Sequence, residues 1–240
     1  MAAVILQAKG ISKAFGGLRA VHCVDFDLQA GEIHALIGPN GAGKTTFVSL
    51  LSGRIAPDAG EILLAGQNIT ALPAHKRVRA GITYTFQITS IYPRLSVFDN
   101  VALAVQSGSA RNLDTAVAEA LRRVNLDDRP DQLAGNLSYG HQRLLEVAMG
   151  LALRPRVLIL DEPTQGLAAG EIAGFVTLIR ALAPQTTVLL IEHNMEVVMG
   201  LADRITVLNF GEVLAQGSPE TIRANAAVQA AYLGDENAAG

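Results

Sequence analysis

The chain has 240 residues, half of them hydrophobic and 17% charged, with a formal net charge of −3. Such a composition excludes intrinsic disorder and leaves room for a full core in one large domain or two small ones. The slight acidity leaves no electrostatic footprint for nucleic acid.

No apolar run approaches the roughly 20 residues of a membrane-spanning helix, and the richest, at 147–153, stops at Arg154. The N-terminal MAAVILQAKG lacks the basic region of a secretory leader, so a soluble, cytoplasmic chain is expected. Strands are expected at 4–11, 22–28 and 32–37, apolar or alternating stretches punctuated by Gly16-Gly17 and Ala30-Gly31. The third runs into a glycine loop and a helix at 44–51, and further strands follow at 61–64 and 82–86. From about 88 to 153 the pattern turns helical, with Ser96 and Asn112 as N-caps and a third helix at about 140–153.

After Pro155 strand and helix alternate again, with strands at 157–161 and 187–191 on either side of a helix at 169–182. Both strands are almost wholly Val, Ile and Leu, as in parallel strands covered on both faces. A hairpin-like pair at 205–208 and 212–215 turns at Asn209-Phe210-Gly211. Ser218-Pro219-Glu220 then opens a helix with a cap, a proline at the first position and an acid in the first turn. The outline is an α/β core interrupted by a helical insert. The single cysteine, Cys23, is expected to be a small buried hydrophobe. His22, His34 and His75 fit no motif and are expected to be structural or exposed.

Three elements carry chemistry. Gly38-Pro39-Asn40-Gly41-Ala42-Gly43-Lys44-Thr45 fits G-x-x-x-x-G-K-[ST] between a strand and a helix, with Thr46 following. Its glycines let backbone N–H groups turn inward around phosphate oxygens, and the helix N-terminus adds a favourable dipole. Lys44 would reach the β- and γ-phosphates and Thr45 would ligate Mg²⁺. In the second element, Val157-Leu158-Ile159-Leu160-Asp161-Glu162, an apolar strand delivers Asp161 to its C-terminal edge as a Mg²⁺ partner. Glu162, one step on, is placed to polarise an attacking water. Third, Leu137-Ser138-Tyr139-Gly140-His141-Gln142 precedes a helix. There Ser138 and Gly140 would offer a hydroxyl and a backbone N–H to an anion, although Ser138 is equally an ordinary N-cap.

The glycine loop, Gln87, LSYGHQ, LILDE and His193 occur in the order found in ABC transporter ATPases, and the chain resembles that family along essentially its whole length. LSYGHQ is similar to the LSGGQ signature, with Tyr139 and His141 as departures. The resemblance implies a P-loop NTPase (RecA-like) core with an N-terminal antiparallel β region and a helical subdomain insert. Residues 1–240 would form one ABC ATPase domain, with the ATP-binding core at about 1–87 and 154–240 and the signature-bearing subdomain at about 88–153. It further implies that Phe15 stacks on adenine and that Gln87 senses Mg²⁺ and water. His193 would bond the γ-phosphate, while Ser138 and Gly140 would hold the ATP of a second ABC ATPase subunit. Two transmembrane permease subunits and, indirectly, a periplasmic or extracellular solute-binding protein complete the implied assembly on the cytoplasmic face of the membrane. Residues 88–95 would border the groove that receives a permease helix.

The family turn ending Gly-Leu-Asp or Gly-Leu-Asn reads Gly166-Leu167-Ala168 here, which puts a cross-subunit contact in doubt. Thr85-Phe86-Gln87, Glu192-His193-Asn194-Met195 and Ala231-Tyr232-Leu233-Gly234 resemble the ATPases of branched-chain amino acid importers. Lipopolysaccharide export and a role without a permease are the alternatives.

Overall fold

The computed structural model describes residues 3–85, 90–107 and 112–236. Along the chain run β1 (Val4–Phe15), β2 (Leu18–Gln29), β3 (Ile33–Ile37), α1 (Lys44–Ser52), β4 (Ala59–Leu64), β5 (Gln67–Asn68), α2 (Ala74–Ala80) and β6 (Ile82–Tyr84). Three helices follow: α3 (Val97–Ser107), α4 (Leu113–Arg123) and α5 (Tyr139–Ala152). The chain closes with β7 (Val157–Asp161), α6 (Ala169–Leu182), β8 (Thr187–Ile191), α7 (Met195–Leu201), β9 (Arg204–Asn209), β10 (Glu212–Gly217), α8 (Pro219–Arg223) and α9 (Ala226–Glu236). No helix among the described residues is long and apolar enough to cross a membrane.

Two sheets form among the described residues. β2-β1-β4-β5 is antiparallel throughout, whereas β10-β9-β3-β8-β7-β6 is parallel except for β10 at its edge. The alternation of side chains along β7 shows why its sequence is apolar at every step up to Asp161. Val157 and Ile159 join a core with α1 (Phe47, Leu50, Leu51) and the small sheet (Leu6, Phe26, Ile62). Leu158 and Leu160 enter a second core with α5 and α6 on the opposite face. Helix α1 is thus held between the sheets, and the insert packs on the other side, where Val101, Val117 and Leu145 join the second core. Ser96 and Asn112 cap α3 and α4, accepting from Asp99 N–H at 2.9 Å and Thr115 N–H at 3.2 Å.

Two expectations need correction. β1 and β2 run further than 4–11 and 22–28, pairing as far as Phe15↔Leu18 around Gly16-Gly17 by way of register shifts. Cys23 is exposed rather than buried. It sits in β2 with φ of 49°, where its N–H donates to Ser12 Oγ at 2.9 Å, and this kink turns its side chain off the core face.

Helix α2 supplies a tie to α1. Arg77 is only 1% exposed, and its guanidinium donates to the carbonyls of Leu50 (2.7 Å), Leu51 (2.8 Å), Thr70 (2.8 Å) and Leu72 (2.9 Å). Burial lowers its pKa to about 10, so at neutral pH it is a cation at the negative end of the α1 dipole.

Candidate active site

The loop between β3 and α1 is held by close backbone packing. A side chain at Gly43 would put its Cβ 2.3 Å from Ala20 O, and one at Gly38 would put it 2.2 Å from Leu208 O. Both positions also lie at positive φ, 98° and 153°, so only glycine fits. The neighbouring segments are stitched to the loop by Gly211 N–H donating to Ala42 O (3.0 Å) and His22 N–H donating to Gly211 O (2.8 Å). Lys44 lies back across the loop, its ammonium on Gly38 O at 2.6 Å and Pro39 O at 3.0 Å.

This loop floors a cleft of about 690 Å³ lined by residues 40–46, Glu162, Arg19 and three exposed apolar side chains. Those three are Phe15, Leu18 and Phe210, which are 50%, 69% and 85% exposed. Polar backbone and a lysine at one part of the cleft, with apolar surface at another, suit a ligand that has both a phosphate chain and a flat ring.

Asp161 ends β7 and Glu162 follows it, in a different setting. Asp161 is buried and accepts a short hydrogen bond from Tyr84 Oη. Its carboxyl is raised above the usual range by burial first; the Tyr84 bond opposes the rise and the neighbouring Glu162 charge adds to it. Tyr84 is itself raised by burial and by the Asp161 carboxylate. Glu162 adopts φ of 46°, donates its N–H to Ile191 O at 2.9 Å, and lines the cleft. Its Oε1 lies 3.8 Å from His193 Nδ1, and His193 is 61% exposed. Glu192, part of the Glu192-His193-Asn194-Met195 run, has no role assigned to it from sequence. It is buried and bonded to the segments on both sides, accepting from Thr164 and from the N–H groups of His193 and Asn194.

The structure therefore brings Lys44, Thr45, Thr46, Glu162 and Phe15 around one cleft, with His193 beside Glu162 and Asp161 next along β7. Ser138 and Gly140 are not there: they open α5 elsewhere, and Gly140 lines a separate cavity of about 240 Å³ with His141 and Glu171. Ser138 Oγ accepts from His141 N–H at 3.3 Å and lies 2.9 Å from His141 Nδ1, while Gly140 is buried under Glu171. Gln87 and Phe86 lie outside the described residues. Phe210 was also unforeseen, since nothing in a hairpin turn marks it as a cleft residue.

A glycine loop opening a helix after a parallel strand, with acids ending a nearby strand, defines a P-loop nucleotide-hydrolase core. Comparison with known proteins makes the class specific. Residues 21–165 match the family model of ABC transporters, and residues 212–238 match that of the branched-chain amino acid ATP-binding cassette transporter. The high-affinity branched-chain amino acid transport ATP-binding proteins BraF of Pseudomonas aeruginosa and LivG of Escherichia coli are 39% and 40% identical to the chain. Each alignment spans 98% of this chain and all of the relative. LptB of Escherichia coli, a lipopolysaccharide export ATP-binding protein, is 34% identical over 96% of this chain and 98% of its own. The ADP conformation of MJ1267, an ATP-binding cassette of an ABC transporter, superposes with a TM-score of 0.89 at 25% identity, over 97% of this chain and 99% of that one. The chain belongs to the ABC transporter family and is one of its ATP-binding, ATP-hydrolysing subunits.

Proposed function

We propose that this ATPase powers import of branched-chain amino acids or closely related solutes through separate permease subunits. The observation that carries the reading is the match of residues 212–238 to the branched-chain cassette model, joined to 39–40% identity with BraF and LivG over nearly the whole chain. Two copies, or this chain with a related ATPase, would act on the cytoplasmic face of the membrane, each docked on a permease subunit and served by an external solute-binding protein. An α/β core at about 1–87 and 154–240 would then move relative to a helical subdomain at about 88–153.

In this reading the loop 38–46 wraps the triphosphate, with Lys44 leaving its carbonyl partners for the β- and γ-phosphates. Phe15 supports the base. Glu162 Oε1 takes the proton of the attacking water, and His193 contacts the γ-phosphate from the neighbouring turn. Ser138 and Gly140 would meet the ATP of the opposing subunit, which accords with neither of them lining the cleft of their own chain.

The donor set fits Mg²⁺. Among the described residues no cluster of His, Cys, Asp or Glu could hold a metal unaided, and Mg²⁺ characteristically takes one or two protein oxygens together with substrate phosphates and water. Thr45 and Asp161 would hold it, with Gln87 as a third partner. When bound, the ion neutralises charge building on the phosphates.

The test is uptake of labelled leucine by vesicles bearing this subunit with its permease subunits and solute-binding protein. ATP-dependent leucine accumulation supports the reading. Hydrolysis that responds to lipopolysaccharide and not to leucine would replace import by export.

A further inference from the structure

We infer that Glu192 is a positioning residue that locks the turn after Glu162 to the turn bearing His193, so that both groups face the γ-phosphate as one unit. The inference rests on the reading of His193 as a γ-phosphate contact. It starts from the placement of a carboxylate one residue past the apolar parallel strand β8, where it is only 1% exposed.

Its hydrogen bonding is divided cleanly between two loops. Oε1 accepts the Thr164 N–H at 3.0 Å and the short Thr164 hydroxyl bond. Oε2 accepts the N–H groups of His193 at 3.0 Å and Asn194 at 3.2 Å. A carboxylate offers about four acceptor positions, so all are filled and none is left for a substrate. Oε2 lies 4.0 Å from His193 Nδ1, and Glu192 does not line the cleft. Glu192 therefore touches nothing reactive and acts only through what it holds.

What it holds is the catalytic geometry. The Thr164 segment follows Glu162 directly, and Glu162 is already bonded to Ile191 O at 2.9 Å. The Asn194 side chain caps α7, accepting from Glu196 N–H at 3.1 Å and Val197 N–H at 3.3 Å. One buried anion thus joins the Glu162 turn, the His193 turn and the start of α7. It keeps His193 Nδ1 within 3.8 Å of Glu162 Oε1. A neutral amide of the same shape could not replace it, because its NH₂ would face one of the two donor pairs.

The experiment uses the full-length chain and follows phosphate release with Mg-ATP. Misplacing a reacting group by about 1 Å can cost on the order of 100-fold in rate. Glu192→Gln should therefore lower kcat at least about tenfold while KM for ATP and the affinity for a fluorescent ATP analogue stay within about twofold. Thr164→Val, which removes one hydroxyl, should lower kcat severalfold, and Thr164→Ser should restore it. This pair stands in if Glu192→Gln fails to fold. Glu192→Gln added to His193→Ala should cost clearly less than it does in the parent, because only the Glu162 half of the unit is then left to misplace, whereas a generally structural role would reduce turnover in both backgrounds alike. Full turnover of His193→Ala would remove the γ-phosphate role of His193, and this inference with it. A slow His193→Ala alongside normal Glu192→Gln and Thr164→Val would overturn the Glu192 inference alone.

Discussion

Arg77→Met tests how firmly the helix that carries Lys44 is anchored. Four carbonyls lose a charged donor in this variant, and of these Leu50 O keeps a bond from Gly53 N–H at 3.2 Å. Three carbonyls left short of a donor, that of Leu51 buried and those of Thr70 and Leu72 partly buried, at up to about 1 kcal/mol each, give at most about 3 kcal/mol of destabilisation. The full worth of the charged bonds is larger, but removing a buried cation also removes its desolvation cost. For a domain near this size about 1 kcal/mol shifts Tm by ~2–4 °C, so a fall of up to roughly 6–12 °C is expected. Thermal unfolding followed by circular dichroism at pH 7 measures it, with Arg79→Met on the exposed face of α2 as a control that should stay within about 0.5 kcal/mol of the parent. Because α1 has Lys44 at one end and the Arg77 contacts at the other, ATP affinity should weaken as well. A Tm within about 2 °C of the parent would mean that the four contacts are not what fixes α1.

Three further outcomes follow from particular residues. His34 is buried between Glu32 and Thr206, and burial outweighs Glu32 in lowering its pKa below 6.5. The fold therefore favours neutral His34. Its contribution is complete above pH 6.5 and is lost on acidification at up to about 1.4 kcal/mol per pH unit. His34→Gln should flatten the fall in Tm between pH 7 and pH 5, and parallel curves would contradict this. Ala168 is the N-cap of α6 without a side-chain bond, so Ala168→Asp should add about 1 kcal/mol and raise Tm by ~2–4 °C in the isolated chain. A faster ATPase in the assembled complex without that gain would assign the effect to the cross-subunit contact instead. Tyr92 is 56% exposed, whereas Ile91 packs partly onto the insert core. Tyr92→Glu should therefore leave folding and ATP binding intact while lowering co-purification with the permease, and unchanged assembly would place docking elsewhere.

The sequence was most legible where local pattern and tertiary role coincide. Strands 157–161 and 187–191 and helix 169–182 were read to the residue, because strands covered on both faces are apolar throughout and stop where the apolar run stops. The loop 38–46 was equally plain, since close backbone approach and positive φ leave glycine no substitute. Boundaries failed in β1 and β2, where pairing continues past the expected ends through register shifts as far as Phe15↔Leu18, and the polar, glycine-punctuated stretch there shows no strand pattern. Helices α2 and α7 were missed because each is only seven residues long, too short to show a period. Glu192, Tyr84 and Phe210 escaped notice for one shared reason. Their roles depend on partners distant in the chain, and an acid, a tyrosine or a turn phenylalanine carries no local sign of such a partner.

The cleft built by residues 38–46 and Glu162 should bind ATP and cleave it with Glu162 as the base. Glu162→Gln tests this most directly, since it keeps the shape of the side chain and removes its basicity. In single-turnover phosphate release with Mg-ATP, the variant should bind nucleotide as tightly as the parent and cleave it at least about 100-fold more slowly, accumulating as an ATP-bound dimer visible by light scattering. Cleavage at the parental rate, with nucleotide bound equally well, would show that another group activates the water.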